Sequence, residues 1–145
     1  MIVRLIYASM VKEGHGPNDV LKIVEVSEKN NQAAGITGAL CYGPRYFLQC
    51  LEGPREAVNQ LYNKIIADER HTDVTLLYYD DIEERAFGDW AMGYVVAEKT
   101  INSIVLRFGD SIKFNPYELS GKQAIGFLKA AVEHRQKTLE SSIAR

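Results

Sequence analysis

Apolar and polar residues alternate over several short stretches of the chain, and this alternation predicts β-strands. The expected strands are residues 2–7, 36–42, 46–52, 74–79 and 93–97. The turn-forming run Gly43-Pro44-Arg45 separates the second strand from the third and indicates a hairpin. Since side chains on a strand point alternately to opposite faces, every second residue of each strand is expected to share a face.

Apolar residues at helical spacing predict two helices between these strands. The first is expected from a cap at Asn18 or Asp19 to about Asn30, and the second from Pro54 to about Asp68. Their apolar stripes are Val20, Ile23 and Val24 in the first helix and Val58, Leu61, Tyr62 and Ile65 in the second. The resulting order β-α-β-β-α-β-β is typical of a ferredoxin-like α+β fold.

The end of the chain is predicted to be helical. A short helix is expected over residues 100–108, and Ser120 with Gln123 has the spacing of a capping box that opens a longer helix. One side of that helix is apolar: Ala124, Phe127, Leu128 and Ala131. Because two helices cover only one face of a sheet, these C-terminal helices are expected to pack on the other. Residues 1–97 are therefore predicted to form the main domain, and residues 98–145 a helical extension of the same compact unit.

Composition narrows the class of protein. The 145 residues are 46% hydrophobic and 25% charged, as in an ordinary soluble globular domain. The 17 basic and 19 acidic residues give a formal charge of −2, which argues against direct nucleic-acid binding. Neither an apolar membrane span nor an N-terminal signal peptide is recognised. Cys41 and Cys50 have no CxxC spacing, so free thiols and a cytoplasmic location are expected.

Common catalytic and nucleotide-binding motifs do not occur in the chain: it has neither a GxGxxG glycine motif nor a phosphate-binding P-loop. His15, His71 and His134 are far apart in sequence, and no metal site is expected. Spacing alone leaves a Ser-His-Asp arrangement open, although no nucleophile elbow is found. A ferredoxin-like enzyme of the acylphosphatase type is a further alternative, which the lack of a matching Gly-rich loop disfavours.

Several polar residues stand where the pattern requires apolar ones. Gln49 interrupts an apolar face of the third strand, and Tyr7 lies on an apolar face of the first. Asn31 ends the stripe of the first helix, and Lys64 and Asp68 are four residues apart on the second. Each has an ordinary alternative: a packed tyrosine, a buried amide with a structural partner, a helix cap, a solvated ion pair. Together they predict a polar-lined slot between the helices that suits a flat heterocycle.

Five short segments then form a recognisable series along the chain. They are Arg4-Leu5-Ile6-Tyr7-x-Ser9, Asn30-Asn31-x-x-x-Gly35-Ile36-Thr37-Gly38, Phe47-Leu48-Gln49-x-Leu51-Glu52-Gly53, Asp68-Glu69-Arg70-His71 and Trp90-x-Met92. With these segments the chain closely resembles the BLUF family of blue-light sensors that use FAD, over residues 2 to about 95. The remaining residues resemble the C-terminal extension of short, stand-alone members of that family.

The resemblance implies a non-covalent FAD between the two helices, with FMN or riboflavin as alternatives in a recombinant preparation. Matched by position, Tyr7 would donate an electron and a proton, and Gln49 would be the hydrogen-bond switch at the flavin edge. Six positions match residues around the cofactor: Asn30, Asn31, Lys64, Asp68, Arg70 and His71. Gln49 would also contact the flavin directly, because a glutamine amide has both a donor and an acceptor group.

Trp90 and Met92 match the segment thought to relay the signal in the family. The two residues are expected to share strand parity, and the sequence leaves open which of them faces the flavin. The implied function is that of a non-enzymatic blue-light photoreceptor, which signals through an unidentified partner protein. An alternative is a regulator that binds flavin or another ligand and for which light is incidental; homo-oligomer formation is also left open.

Overall fold

The chain has an α+β architecture in a computed structural model that describes residues 1–15 and 17–144. Side chains of residues 17, 18, 20, 21, 23, 24 and 142–144 are not described, so the predicted Asn18 cap and the stripe of Val20, Ile23 and Val24 lie outside the described residues. The strands are β1 (Ile2–Val11), β2 (Thr37–Tyr42), β3 (Tyr46–Pro54), β4 (His71–Ile82) and β5 (Gly93–Val96). The helices are α1 (Pro17–Ala34), α2 (Arg55–Ala67), α3 (Asn102–Phe108) and α4 (Gly121–Ala144).

The five strands form one mixed sheet in the order β4-β1-β3-β2-β5. β1 pairs antiparallel with β3 and β4, β2 pairs antiparallel with β3, and β5 joins β2 in parallel. This arrangement confirms the predicted ferredoxin-like order of elements. β1 and β4 are longer than the sequence predicted, because β1 continues to pair with β4 as far as Val11 and His71.

The end of α1 corrects one prediction. The helix runs to Ala34 and not to Asn30, because the residue that terminates it is Gly35, with φ of +74°. This left-handed conformation costs glycine little. It lets the backbone N–H of Ile36 donate to the carbonyl of Asn31 (2.8 Å) and that of Gly35 donate to Gln32 (3.3 Å), a Schellman motif. Asn31 is therefore inside the helix and does not cap it.

Each face of the sheet supports a separate apolar cluster. On one face, side chains of β1 and β3 pack under α2 around Leu5, Leu51 and Val58. On the other face, Ile6, Leu48 and Cys50 pack against α3 and α4. The C-terminal helices therefore cover the second sheet face, as predicted from the need to bury it.

The start of α4 confirms the predicted capping box. Gln123 donates its backbone N–H to Ser120 Oγ (3.1 Å), and the backbone N–H of Ser120 donates to Gln123 Oε1 (3.0 Å). The predicted apolar side of this helix, Ala124, Phe127, Leu128 and Ala131, is buried against the sheet. Within the described part of the chain, no helix combines the length and hydropathy needed to cross a membrane.

Candidate functional site

A cleft opens between α1, α2 and the sheet face that carries Leu5 and Leu51. The cavity that its walls enclose has a volume of about 60 Å³. Its apolar walls are formed by Leu40, Phe47, Leu61, Ile65 and Met92. Polar side chains converge on the same space: Tyr7, Ser27, Asn31, Gln49, Asp68, Arg70 and His71. The cleft thus combines flat apolar walls with several hydrogen-bonding groups.

Tyr7 and Gln49 meet at the floor of the cleft. The two residues are direct partners across the antiparallel β1–β3 pair, so their side chains leave the same face of the sheet. The hydroxyl of Tyr7 donates a hydrogen bond to Gln49 Oε1. Tyr7 is 4% exposed and Gln49 7% exposed. Burial, reinforced by the nearby Tyr62 and Asp68, raises the pKa of Tyr7 well above its usual value, so the phenol holds its proton at neutral pH.

Gln49 also contacts Met92 on its other side. Gln49 Nε2 donates to Met92 Sδ over 3.4 Å, and both side chains are buried. The amide of Gln49 therefore lies between a donor, the Tyr7 hydroxyl, and a weak acceptor, the Met92 thioether. Rotation of the amide by half a turn would turn Nε2 towards the Tyr7 hydroxyl, to which it can donate, and Oε1 towards the Met92 thioether, which cannot donate to it, without changing any charge.

Trp90 lies on the opposite side of the sheet from Met92. Trp90 packs with the cluster under α3 and α4, with its ring 6.3 Å from that of Phe87, whereas Met92 lines the cleft. The parity assumed from sequence is wrong, because β5 begins only at Gly93 and residues 85–92 form bends and turns. The segment thus places one residue at the cleft and one against the C-terminal helices.

Asn31 reaches the cleft from α1. It is 2% exposed, and its Nδ2 donates to the carbonyl oxygen of Ala91 over 3.4 Å. Asn30, the neighbouring candidate, is exposed and lies outside the cleft lining. Lys64 on α2 is likewise exposed and outside the lining.

Asp68 and Arg70 form an ion pair at the edge of the cleft. Arg70 Nε donates to Asp68 Oδ1 (2.9 Å), Nη2 donates to Oδ2 (2.5 Å), and the backbone N–H of Arg70 also donates to Oδ1 (2.9 Å). Hydrogen bonds from Arg70 lower the pKa of Asp68 to about 2, although partial burial opposes the shift. The carboxylate thus pairs with Arg70 and not with Lys64, the partner that helical spacing suggested.

His71 is fixed by two hydrogen bonds. Its Nε2 donates to the carbonyl of Ile65 (2.6 Å), which leaves Nδ1 to accept from Ser9 Oγ (2.9 Å) in the neutral ring. The imidazole stands edge-on to the rings of Tyr7 and Phe47, with centroids 6.2 and 6.0 Å away. His71 therefore connects α2 to β1 beside the cleft.

Sequence reasoning missed some of the residues that form the walls. Leu61 and Ile65 were expected to be core residues of α2, and Phe47 to share a strand face with Gln49; all three line the cleft. Ser27 and Leu40 were not proposed as site residues. The signal for Ser27 was its position in the apolar stripe of the first helix, where a hydroxyl facing the sheet is unusual.

The chain is similar to known proteins in both sequence and structure. The family profile BLUF, described as sensors of blue light using FAD, matches residues 2–93. The chain is 37% identical over 87 residues to photoactivated adenylate cyclase subunit alpha of Euglena gracilis, covering 60% of this chain and 8% of that protein. It is 32% identical over 92 residues to the blue light- and temperature-regulated antirepressor BluF of Escherichia coli K12, covering 63% of this chain and 23% of that protein. The chain thus spans less than a quarter of either curated relative.

Solved structures match over more of the chain. BlsA in its photo-activated state superposes with a TM-score of 0.82 at 35% identity, covering 91% of this chain and 95% of that chain. The dark-state structure of BlrB, a BLUF protein, gives a TM-score of 0.76 at 30% identity, covering 93% of this chain and 96% of that chain. Both matches extend beyond residue 93 into the C-terminal helices.

Proposed function

Because the chain belongs to the BLUF family of blue-light sensors that use FAD, we propose that it holds FAD non-covalently in the cleft and responds to light through Tyr7 and Gln49. The observation that carries this proposal is the contact series Tyr7–Gln49–Met92, which runs from the floor of the cleft to the segment before β5. Among the cleft residues that the structure describes, no other polar pair combines two buried side chains with an amide that bonds a partner on each side.

The residues of the cleft fit a flavin. Apolar walls such as Phe47 and Leu61 suit the faces of a flat ring, and the amides of Asn31 and Gln49 suit its donor and acceptor edge. The cation of Arg70 at the edge suits the more polar part of the cofactor. When bound, FAD supplies absorption of blue light and an excited state that accepts an electron. Exposed Asn30 and Lys64 would contact only a part of FAD that projects from the cleft.

Tyr7 is proposed as the electron and proton donor. Its phenol is buried, protonated and already hydrogen-bonded to Gln49 Oε1, so the proton has an acceptor at hand when the ring loses an electron. A tyrosine that gives up an electron releases its proton readily, and the proton returns to Tyr7 when the electron does. The chain itself is unchanged after this cycle except for the arrangement of Gln49.

Gln49 is proposed as the switch. Its amide is held between Tyr7 and Met92, and rotation or tautomerisation changes what it donates to and accepts from without a net change of charge. The new arrangement must then bias a second element to transmit a signal. Residues 90–92 are suited to this role, because Met92 touches Gln49 while Trp90 packs against the C-terminal helices.

The output is proposed to pass to a separate partner protein in the cytoplasm, without an enzymatic activity of this chain. Support comes from the near-complete coverage of BlsA and BlrB, whereas relatives such as the Euglena cyclase are much longer. Cys41 and Cys50 are buried free thiols, which suits a reducing compartment. The formal charge of −2 supports a protein partner over nucleic acid.

An absorption spectrum before, during and after blue illumination tests this function. We expect a flavin spectrum that shifts slightly to longer wavelength in the light and returns in darkness. Acid denaturation is expected to release the flavin intact. A coloured protein without any reversible shift would favour a ligand-binding regulator for which light is incidental, and flavin retained on the denatured chain would contradict non-covalent binding.

A further inference from the structure

A buried carboxylate lies on the opposite face of the sheet from the cleft. Glu52, near the end of β3, is 0% exposed. It accepts hydrogen bonds from Arg4 Nε (2.8 Å) and from the backbone N–H groups of Ala86 (3.0 Å) and Phe87 (2.8 Å). A buried carboxylate is tolerated only when its oxygens accept such bonds and a cation balances its charge. Glu52 therefore fixes the backbone of residues 86 and 87 to the centre of the sheet.

Arg85 fastens the same segment to the end of α1. Its Nη2 donates to the carbonyl of Gly35 (2.7 Å), and its Nη1 donates to Thr37 Oγ1 (2.9 Å) and to the carbonyl of Glu52 (3.3 Å). Residues 85–87 are thus held by several charge-assisted bonds to the end of α1, to β2 and to β3. Bonds of this kind are roughly twice as strong as those between neutral groups.

The following residues are held more weakly, and they adjoin the cleft. The carbonyl of Trp90 accepts from the backbone N–H of Gly38 (3.2 Å), that of Ala91 from Asn31 Nδ2 (3.4 Å), and Met92 Sδ from Gln49 Nε2 (3.4 Å). All three bonds join neutral groups, and the third ends on a thioether sulfur, which is a weak acceptor. The segment is therefore held by charged groups at residues 85–87 and by neutral groups at residues 90–92, just before β5 begins at Gly93.

We propose that Glu52 is a positioning residue of the light switch: its carboxylate anchors residues 86 and 87 and thereby sets where Met92 meets Gln49. The proposal rests on the proposed function only in that the Gln49–Met92 contact is taken to be part of the light switch. Glu52 touches neither the cleft nor the Tyr7–Gln49 pair, and it acts through the backbone that leads to Met92.

The substitution Glu52→Gln tests the anchor, because it keeps the size of the side chain while removing its charge and one of its acceptor atoms. Glu84→Gln is the matched control, since Glu84 is an exposed carboxylate of the same segment. The chain has three methionines, so ¹³C-methyl NMR of the methionine-labelled protein gives three resonances. The resonance that disappears in Met92→Leu is that of Met92. We expect the Met92 resonance of Glu52→Gln to shift and broaden in the dark, while Met1 and Met10 stay unchanged and Glu84→Gln matches the parent protein.

Dark recovery after illumination gives a second measurement on the flavin-loaded protein. When Gln49 returns to its dark arrangement, it forms its contact with Met92 again. In Glu52→Gln, Met92 is no longer held in position for that contact. We expect recovery of Glu52→Gln to slow by about threefold to tenfold, the effect of weakening one hydrogen bond. Recovery of Glu84→Gln should equal that of the parent protein.

The outcomes separate this inference from the proposed function. The inference is overturned if Glu52→Gln folds and leaves both the Met92 resonance and the recovery rate unchanged. This holds even if the substitution lowers the melting temperature, because that result would show only a structural role for Glu52. If Glu52→Gln does not fold, Glu52→Asp replaces it, because the shorter side chain keeps the charge but moves the carboxylate away from the N–H groups of Ala86 and Phe87, and an unmoved Met92 resonance there overturns the inference equally. Loss of light response in the unsubstituted protein would instead contradict the proposed function, while the dark NMR measurement would still decide the role of Glu52.

Discussion

The two faces of the sheet use neighbouring residues for different purposes. Ile6 and Leu48 point to the face covered by α3 and α4, whereas the next residues, Tyr7 and Gln49, point into the cleft. The face under α3 and α4 carries mostly apolar side chains, and its buried carboxylate, Glu52, is bonded to Arg4 and to the backbone of residues 86 and 87. The cleft face places a phenol and an amide at its centre. Because neighbouring residues of β1 and β3 point to opposite faces, a residue that stabilises the fold is followed directly by one that lines the cleft.

This difference predicts that stability and light response can be lost independently. Changes to the apolar side chains packed under α3 and α4 should lower the free energy of unfolding and leave the chemistry of the cleft intact. Changes at the floor of the cleft should abolish the light response and change the free energy of unfolding only slightly.

Deletion of residues 98–145 should have the largest effect. It removes α3 and α4 and exposes the apolar side chains of the sheet, such as Cys41 and Leu48, to water. We expect aggregation or a much lower melting temperature, measured by size-exclusion chromatography and thermal unfolding, while any soluble fraction keeps its light response. A monodisperse truncated protein with an unchanged melting temperature would show that the second sheet face does not need to be covered by the C-terminal helices.

Phe127→Ala should reproduce part of this effect with a single residue. The ring is 1% exposed, stacks on Phe114 at 5.6 Å and stands edge-on to Phe108 at 6.2 Å. We expect unfolding free energy, measured with denaturant, to fall by about 3–5 kcal/mol. Leu139→Ala on the exposed side of α4 is the control and should change it by less than about 0.5 kcal/mol. A light response lost together with stability would contradict the separation of the two faces.

Tyr7→Phe should have the opposite profile. The change removes one hydroxyl from the cleft floor and leaves the ring in place, so stability should fall by only about 1 kcal/mol. Flavin binding should persist, but the reversible spectral shift should disappear, because the hydroxyl that donates to Gln49 Oε1 is gone. Thermal unfolding and illumination of the same sample measure both. A variant with a normal light cycle would remove Tyr7 from its proposed role.

The Asp68–Arg70 pair should give the smallest effect, and one that depends on pH. Hydrogen bonds from Arg70 lower the pKa of Asp68 to about 2 in the folded chain. A lowered pKa stabilises the fold above the ordinary value of about 4, and this contribution is lost as the pH falls towards 2. Because the pair is partly exposed, we expect less than about 1 kcal/mol. Melting of Asp68→Asn should therefore change less with pH over this range than that of the parent protein, and identical pH profiles would contradict the pairing.

The sequence predicted the features that depend on local periodicity. Strand alternation placed Tyr7 and Gln49 on apolar faces, and the structure shows that the two share a face as direct partners. The capping box at Ser120 and Gln123 was also readable, because both partners lie within one turn. The order of strands and helices along the chain and the covered second sheet face followed from the same periodicities. These features need only residues close in sequence, together with the requirement to bury apolar surface.

Features that depend on distant residues were not readable. Glu52 binds the backbone of residues 86 and 87, more than thirty residues later, and no local pattern marks that contact. Trp90 and Met92 separate because residues 85–92 form turns, where strand parity does not apply. Asn31 resembled a helix cap until Gly35 was seen to adopt the left-handed conformation that ends α1.

Gln49→Leu tests the central claim most directly, because it keeps the approximate size of the side chain and removes both groups that bond Tyr7 and Met92. The variant should fold, since Leu suits a face that already carries Phe47 and Leu51. Light-minus-dark difference spectroscopy of the flavin-loaded variant is the measurement, with infrared detection of the flavin carbonyl. We predict no stable red shift and no light-induced downshift of that carbonyl. A downshift equal to that of the parent protein would show that Gln49 serves only packing and that the switch lies elsewhere.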